Sequence, residues 1–250
     1  MTMKSTFVVG AVALSISVSA ADAATSVYSS GHGDIGIAYE GGEFEPHWHI
    51  GAGATVDGSP LASEGEYEPA GMVAEVTSTR NSPIGLASAI GLPDGSFIYT
   101  AGSATYQPNL GFATEELNAD NWNGNLTITL TGWSTPGGAE AALYTTNLAG
   151  TSVADVAFST YNAGSTAFGN SLSLAPESHT HLEWAFTELG SYSFTFEWVG
   201  DHVTDGIVTD SATFSFQVVP EPAQAGLVLS LIGVAAVFIS RRPSLRASVC

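Results

Sequence analysis

Apolar and polar residues alternate along most of the chain between residues 24 and 218. The run SYSFTFEWV has an aromatic side chain at every second position from Tyr192 to Trp198 and a polar residue between each pair. The runs SATFSFQV and NLTITLTGW repeat this period. A period of two is typical of strands that bury one face and leave the other in water.

Segments rich in glycine and proline, such as LPDGS and STPGG, separate these runs as turns do. Only ATEELNADNW suggests a helical turn, and it is short. Many short strands predict an all-β fold, which we expect to be an immunoglobulin-like antiparallel β-sandwich, with a β-barrel as the alternative.

The N-terminal apolar run breaks the alternation and indicates a secretory signal peptide. A single cation, Lys4, precedes FVVGAVALSISVSA, and the small residues Ala21 and Ala23 follow it. An N-terminal membrane anchor is the alternative, but the run is short and three serines interrupt it. We therefore expect export and removal of residues 1–23.

A second apolar run, at residues 223–240, lies near the C-terminus and is just long enough for one transmembrane helix. It is flanked by Val219, Pro220, Glu221 and Pro222 on one side and by Arg241 and Arg242 on the other. Cations after a span favour the cytoplasmic side, so residues 243–250 should be a short cytoplasmic tail and the body should lie outside.

The order of these elements, over residues 219–242, resembles the PEP-CTERM sorting signal of Gram-negative bacteria. The resemblance implies that a membrane exosortase and the secretion machinery are partners. The chain departs from the pattern in its extra tail, PSLRASVC, because such signals usually stop soon after the arginines. A plain membrane anchor that is never cut is the alternative. Both place the domain in the cell envelope or at the cell surface.

The charge of the predicted domain, residues 24–218, limits the classes of function that we expect for it. The domain contains 22 of the 24 Asp and Glu but only one cation, Arg80, so its formal charge is near −21. Such a charge repels phosphate backbones, which argues against nucleic-acid binding, and it attracts cations. The lone cysteine, Cys250, lies beyond the predicted membrane helix, so no disulfide can form within the domain.

No motif of a known enzyme class is visible, so we do not expect catalysis. The chain has no Gly-x-Ser-x-Gly elbow, no His-Glu-x-x-His helix and no phosphate-binding glycine loop. Glu115 and Glu116 are adjacent, point apart on a strand and are interpreted as solvated surface.

Histidines supply the candidate chemistry. In EFEPHWHI, alternation puts His47 and His49 on the face opposite Trp48. In SHTHLEWAF, it puts His179, His181 and Glu183 together. The two remaining histidines, His32 and His202, lie near these pairs in sequence.

The spacing of the histidine pairs suits a metal ion. Residues two apart on a strand are about 6.5–7 Å apart at Cα, from which two imidazoles can reach one ion. Without cysteine, a zinc site here must be rich in histidine, and copper or manganese accepts similar ligands. We therefore predict one transition-metal site, and its expected ligands are His47, His49, His179 and His181, helped by His32 or His202. A polar strand face in water is the alternative.

Three blocks, SGHGDIGIAYEGGEFEPHWH, NLTITLTGWSTPGGAEAALY and the segment from His179 to Val218, resemble the choice-of-anchor M domain of bacterial surface proteins. The last block is similar to the actinobacterial surface-anchored repeat. Its matching positions are His179, His181, Trp184, Ala185, Phe186, Thr187, Gly190, Tyr192, Asp205, Gly206, Thr213, Phe216 and Val218. Glu183 departs from the asparagine expected before the tryptophan.

The resemblance covers most of residues 28–218 and implies a cell-surface domain. Such domains accompany metal-uptake ABC transporters in actinobacteria, so a transporter of this type or the extracellular matrix is the expected partner. The alternative function is a structural or adhesive envelope or matrix protein with no metal site.

Overall fold

The computed structural model describes residues 25–161 and 169–221. The predicted signal peptide and several predicted C-terminal features lie outside the described residues; these features are Pro222, the predicted transmembrane helix, Arg241, Arg242 and the predicted tail. No helix in the described ranges is long and apolar enough to cross a membrane. The first residues of the predicted sorting motif are described: the Val219 backbone N–H donates to the Val76 carbonyl at 3.0 Å, and the Thr79 hydroxyl donates to Glu221 at 2.7 Å.

Strands form most of the described chain, as the alternation predicts. The strands are β1 (Ser26–Ser30), β2 (His32–Glu40), β3 (Glu43–Ile50), β4 (Thr55–Val56), β5 (Ser59–Pro60), β6 (Gly65–Tyr67), β7 (Met72–Val76), β8 (Thr79–Asn81), β9 (Phe97–Ala101), β10 (Asn109–Ala113), β11 (Leu126–Ser134), β12 (Ala141–Thr146), β13 (Val153–Ser159), β14 (Ser171–Leu174), β15 (His179–His181), β16 (Glu183–Phe186), β17 (Gly190–His202) and β18 (Gly206–Val218). The helical elements are α1 (Ala87–Ile90) and two 3-10 turns, Pro69–Gly71 and Ala119–Asn121.

These strands form three sheets. The first has eight strands in the order β14-β11-β17-β18-β7-β1-β4-β5. The second has the order β15-β10-β2-β3-β6, and we call it the histidine sheet because five of the six histidines belong to its strands. The third has the order β13-β12-β16-β9-β8.

An aromatic core joins the three sheets. Trp48 of the histidine sheet packs on Phe214 of the first sheet with ring centroids 5.0 Å apart. Phe216 of the first sheet meets Trp184 of the third at 4.8 Å. The aromatic positions predicted to face inward, from Tyr192 to Trp198, are all buried. The all-β, sandwich-like prediction is confirmed at this level, because each sheet hides one face from water.

The predicted purely antiparallel pairing is wrong. Three pairs are parallel: β1 with β7, β2 with β10, and β7 with β18. Alternation has the same period in both pairings, so strand direction depends on the connections between sheets, which the pattern does not specify. The short helix α1 was also not predicted, and it covers the outer face of the third sheet. The 3-10 turn at Ala119–Asn121 lies where the sequence suggested a helical turn.

The expected shared face for His179, His181 and Glu183 is wrong as well. The chain changes sheets at Leu182, and alternation holds only within one strand. Glu183 lies in the third sheet, where its Oε2 atom accepts from Arg80 Nη1 at 2.5 Å. Both side chains are largely buried, so Glu183 is neutralised by the one basic residue of the predicted domain.

Truncation of a core aromatic residue tests this packing. Phe216 is 1% exposed and contacts Trp184, so Phe216→Ala should lower the free energy of unfolding by about 3–5 kcal/mol. Ile207→Ala, near the start of the same strand, β18, is the control: Ile207 is 67% exposed, and the change should stay within about 0.5 kcal/mol. Urea unfolding followed by tryptophan fluorescence measures both. Equal effects would contradict the described core.

Candidate metal centre

The histidine sheet has two chemically different faces. On β2, Ile35 and Ile37 point into the core, whereas His32 and Asp34 lie on the opposite face. Cross-strand pairs then connect His181 with Gly111, Gly111 with Asp34, and Asp34 with His49 in one row across four strands. We call this side the histidine face. Alternation on each strand therefore gathers the ligand-type residues on one surface.

Three imidazoles come together at one end of this face. His179 and His181 lie on the edge strand β15, and His32 begins β2, with β10 between them. Their ring centroids are 4.9, 5.5 and 5.8 Å apart. A tetrahedral ion bound at about 2.0–2.1 Å by three imidazoles would hold the centroids about 5 Å apart. One nitrogen from each ring lies within 4.8 Å of the others, and we call this set the three-histidine group.

Carboxylates stand behind two of these rings. Glu115 Oε1 lies 2.5 Å from His179 Nδ1, and Asp34 Oδ2 lies 3.5 Å from His32 Nδ1. A carboxylate at one ring nitrogen holds the proton there and orients the ring, which leaves the other nitrogen for a metal. The Nε2 atoms of His32 and His179 are thus the expected ligand atoms.

His181 is the most buried of the three rings. Its Nδ1 atom is buried and has no hydrogen-bond partner among the described residues. Burial, followed by the nearby imidazoles of His32 and His179, lowers the pKa of His181 to about 4, against the opposing effect of Glu115. The ring is therefore neutral at pH 7, which is the form that binds a metal ion.

Asp34 is a buried carboxylate in the middle of the histidine face. It is 2% exposed, and its Oδ1 atom has no hydrogen-bond partner within the described ranges. Burial raises the pKa of Asp34 to about 6, although the imidazoles of His32, His179 and His49 oppose the shift. At pH 7 the group is ionised and needs a nearby positive charge. Arg80 is committed to Glu183 in the third sheet, so a bound cation would supply what this carboxylate needs.

A glycine keeps the space around Asp34 open. A Cβ atom at Gly111 would lie 2.4 Å from Asp34 Oδ1 and 3.2 Å from His181 Cε1. The backbone of Gly111 is not in the left-handed region, so space and not conformation requires the glycine. Strand β10 thus carries no side chain where β2 and β15 present their polar groups.

The structure divides the predicted ligands between two groups. His32 joins His179 and His181, whereas His47 and His49 on β3 join Glu116. Within the part of the chain that the structure describes, no group of close ligand atoms contains both histidine pairs. Three strand spacings separate β3 from β15, which is about 14 Å and too far for one ion.

His202 belongs to neither group. It ends β17, where its Nδ1 atom lies 2.9 Å from Asp205 Oδ2 and 3.1 Å from the Thr204 hydroxyl. Its ring packs against Tyr39 and Trp122 at 4.6 and 5.0 Å between centroids. These contacts brace the β17–β18 turn.

Sequence reasoning missed the carboxylates of the histidine face. Glu115 and Glu116 were interpreted as solvated surface because adjacent residues point apart. They do point apart, and each therefore reaches a different histidine group: Glu115 contacts His179 and Glu116 contacts His47. Asp34 was also missed, although its place two residues after His32 in the same strand was a usable signal.

No protein-family model, curated protein or solved structure matches the chain. The resemblances to the choice-of-anchor M domain and to the PEP-CTERM signal therefore stay predictions. What the histidine face can bind has to be argued from its geometry.

The buried carboxylate gives a pH-dependent prediction for the metal-free protein. The pKa of Asp34 is about 6 when folded against 3.8 for the ordinary group, so stability is lost as pH rises from about 4 through 6. In the presence of a chelator, Asp34→Asn should raise the free energy of unfolding above pH 6 by up to about 3 kcal/mol. The gain should fade towards pH 4.

Urea unfolding across pH 4–8 measures this difference. Asp155→Asn, in an exposed part of β13, is the control and should show no such trend. A loss of stability in Asp34→Asn at pH 7 would contradict the cost assigned to the buried charge.

Proposed function

We propose that the protein is an exported cell-surface protein whose three-histidine group binds a transition-metal ion. The observation that carries this proposal is the spacing of the three rings, 4.9–5.8 Å between centroids, which matches imidazoles around one ion. The carboxylates behind His32 and His179 and the neutral state of His181 support it.

Zinc suits this group best, with copper and manganese as further candidates. Three imidazoles and an open fourth position are a common zinc arrangement. Two of the three ligands come from the edge strand β15, and His32 and His179 are exposed, so an ion could enter and leave from solvent. The strongly negative domain would concentrate cations near the site. Metal capture is the role that these features favour, and a metal-uptake ABC transporter is the partner that the resemblance to the choice-of-anchor M domain implies.

The location of the domain is part of the same proposal. The signal peptide and the C-terminal sorting signal favour export and either anchoring outside the inner membrane or exosortase processing. For the fold, we infer an immunoglobulin-like sandwich enlarged by the third sheet. The aromatic core between the first sheet and the other two supports this inference.

Removal of two of the three imidazoles tests metal binding. Full-length protein with Cys250→Ser, which removes the one thiol, should bind zinc measurably by equilibrium dialysis and elemental analysis. The double variant His179→Ala, His181→Ala should lose one equivalent of bound zinc, because a single histidine holds zinc poorly.

His202→Gln is the matched control, since it alters a histidine outside both groups. It should keep the full zinc content, and circular dichroism should confirm that every variant is folded. If the double variant binds as much zinc as the protein that carries only Cys250→Ser, the three-histidine group does not bind zinc and the proposal fails. If neither protein binds zinc, a structural or adhesive envelope or matrix protein is the better description.

Fractionation tests the proposed location. In a Gram-negative host without an exosortase, the full chain should be found in the inner-membrane fraction, and a chain ending at Val218 should be soluble in the periplasm. A chain that ends at Val218 and also lacks residues 2–23 is the control and should stay in the cytoplasm. Recovery of the full chain as a soluble periplasmic protein would contradict the predicted anchor.

A further inference from the structure

The second pair of histidines has its own set of contacts at the other end of the histidine face. His47 and His49 lie on β3, and Glu116 reaches them from the segment that follows β10. Glu116 Oε1 is 2.9 Å from His47 Nε2 and 3.5 Å from His49 Nδ1. Two ligand atoms about 2.0–2.2 Å from a tetrahedral ion are about 3.4 Å apart. One ligand atom from each of the three side chains lies within 4.8 Å of the others, and the two ring centroids are 6.2 Å apart, so a small approach of the rings would complete a three-ligand set.

The proton on His47 is fixed by the backbone. His47 Nδ1 lies 2.9 Å from the Glu45 carbonyl oxygen, which can only accept, so Nδ1 carries the hydrogen. In the neutral ring, Nε2 then presents a lone pair to the Glu116 carboxylate at 2.9 Å. Two acceptors at this distance repel each other unless a cation lies between them. A metal ion bound to both His47 Nε2 and the Glu116 oxygen would remove this repulsion, and a second proton on the His47 ring would also remove it.

A glycine also leaves space beside the second group of ligands. Gly36 pairs with His47 across β2 and β3, and a Cβ atom there would lie 2.9 Å from His47 Nε2. Gly36 has no left-handed backbone that would require glycine. His47 is only 7% exposed, and the space beside Gly36 leaves its Nε2 atom accessible to an ion.

His47 and Glu116 also have a route to solvent. An open groove of about 710 Å³ is lined by His47, Glu116, Glu45, Glu66 and Glu68, among others. Negative walls raise the local concentration of cations. The groove does not itself make a site, but it gives an ion access to the nitrogen of a buried histidine.

We propose that His47, His49 and Glu116 form a second metal site, separate from the three-histidine group, for a divalent ion. Two nitrogens and a carboxylate oxygen are a harder ligand set than three imidazoles. The second site should therefore accept zinc and, relative to the first, favour manganese over copper. Asp34, which pairs with His49 across the strands, lies between the two sites.

The two glutamates after β10 provide a matched test. In full-length protein carrying Cys250→Ser, His179→Ala and His181→Ala, one equivalent of zinc should remain. Adding Glu116→Gln should weaken that binding roughly tenfold or more, because it removes a ligand and keeps the shape of the side chain. Adding Glu115→Gln makes the same charge change one residue away and should leave the remaining binding unchanged. Titration calorimetry and elemental analysis, first with zinc and then with manganese and copper, measure the affinities.

The possible outcomes separate this inference from the proposed function. If the starting protein binds one zinc and the His179→Ala, His181→Ala variant binds none, the second site is overturned and the first stands. If that variant keeps all of its zinc and Glu116→Gln removes it, the first site fails and the second stands. Equal weakening by Glu115→Gln and Glu116→Gln would assign the effect to net charge and overturn the second site.

Discussion

The burial of one face of the histidine sheet is the constraint on which the rest of the structure depends. Trp48, Ile35 and Phe112 anchor β3, β2 and β10 in the aromatic core. Because side chains alternate along each strand, this anchoring forces the histidines and Asp34 onto the opposite face. The polar groups are thus brought together by hydrophobic burial on the other face of the sheet. The favourable free energy of that burial offsets the unfavourable free energy of crowding the polar groups.

Crowding of this kind is expensive without a cation. Asp34 is buried among imidazoles, and both its Oδ1 atom and His181 Nδ1 lack hydrogen-bond partners within the described ranges. A fold selected only for stability would replace such groups by apolar residues. Their presence, together with the glycines that leave room for them, supports the proposed site, at which metal-free stability would be traded for binding.

Alternation was sufficient to predict which strand positions are buried, as the run from Tyr192 to Trp198 shows. It also placed each histidine pair on a polar face. It could not reveal that β15 pairs with β10 and β3 with β2, because pairing between distant segments is set by tertiary contacts. For that reason, one four-histidine site was predicted where the structure has two three-ligand groups. Glu183 was misplaced for a local reason, the change of sheet at Leu182.

Strand β15 has only three residues and forms the outer edge of the histidine sheet. An exposed edge offers unpaired backbone groups to other chains. A slip of one residue along β10 would turn Thr180 outward and both histidines inward. An ion shared with His32, two strands away, would tie this edge across β10 and oppose both the slip and the addition of a foreign strand. A bound ion would then disfavour self-association of the domain through this edge.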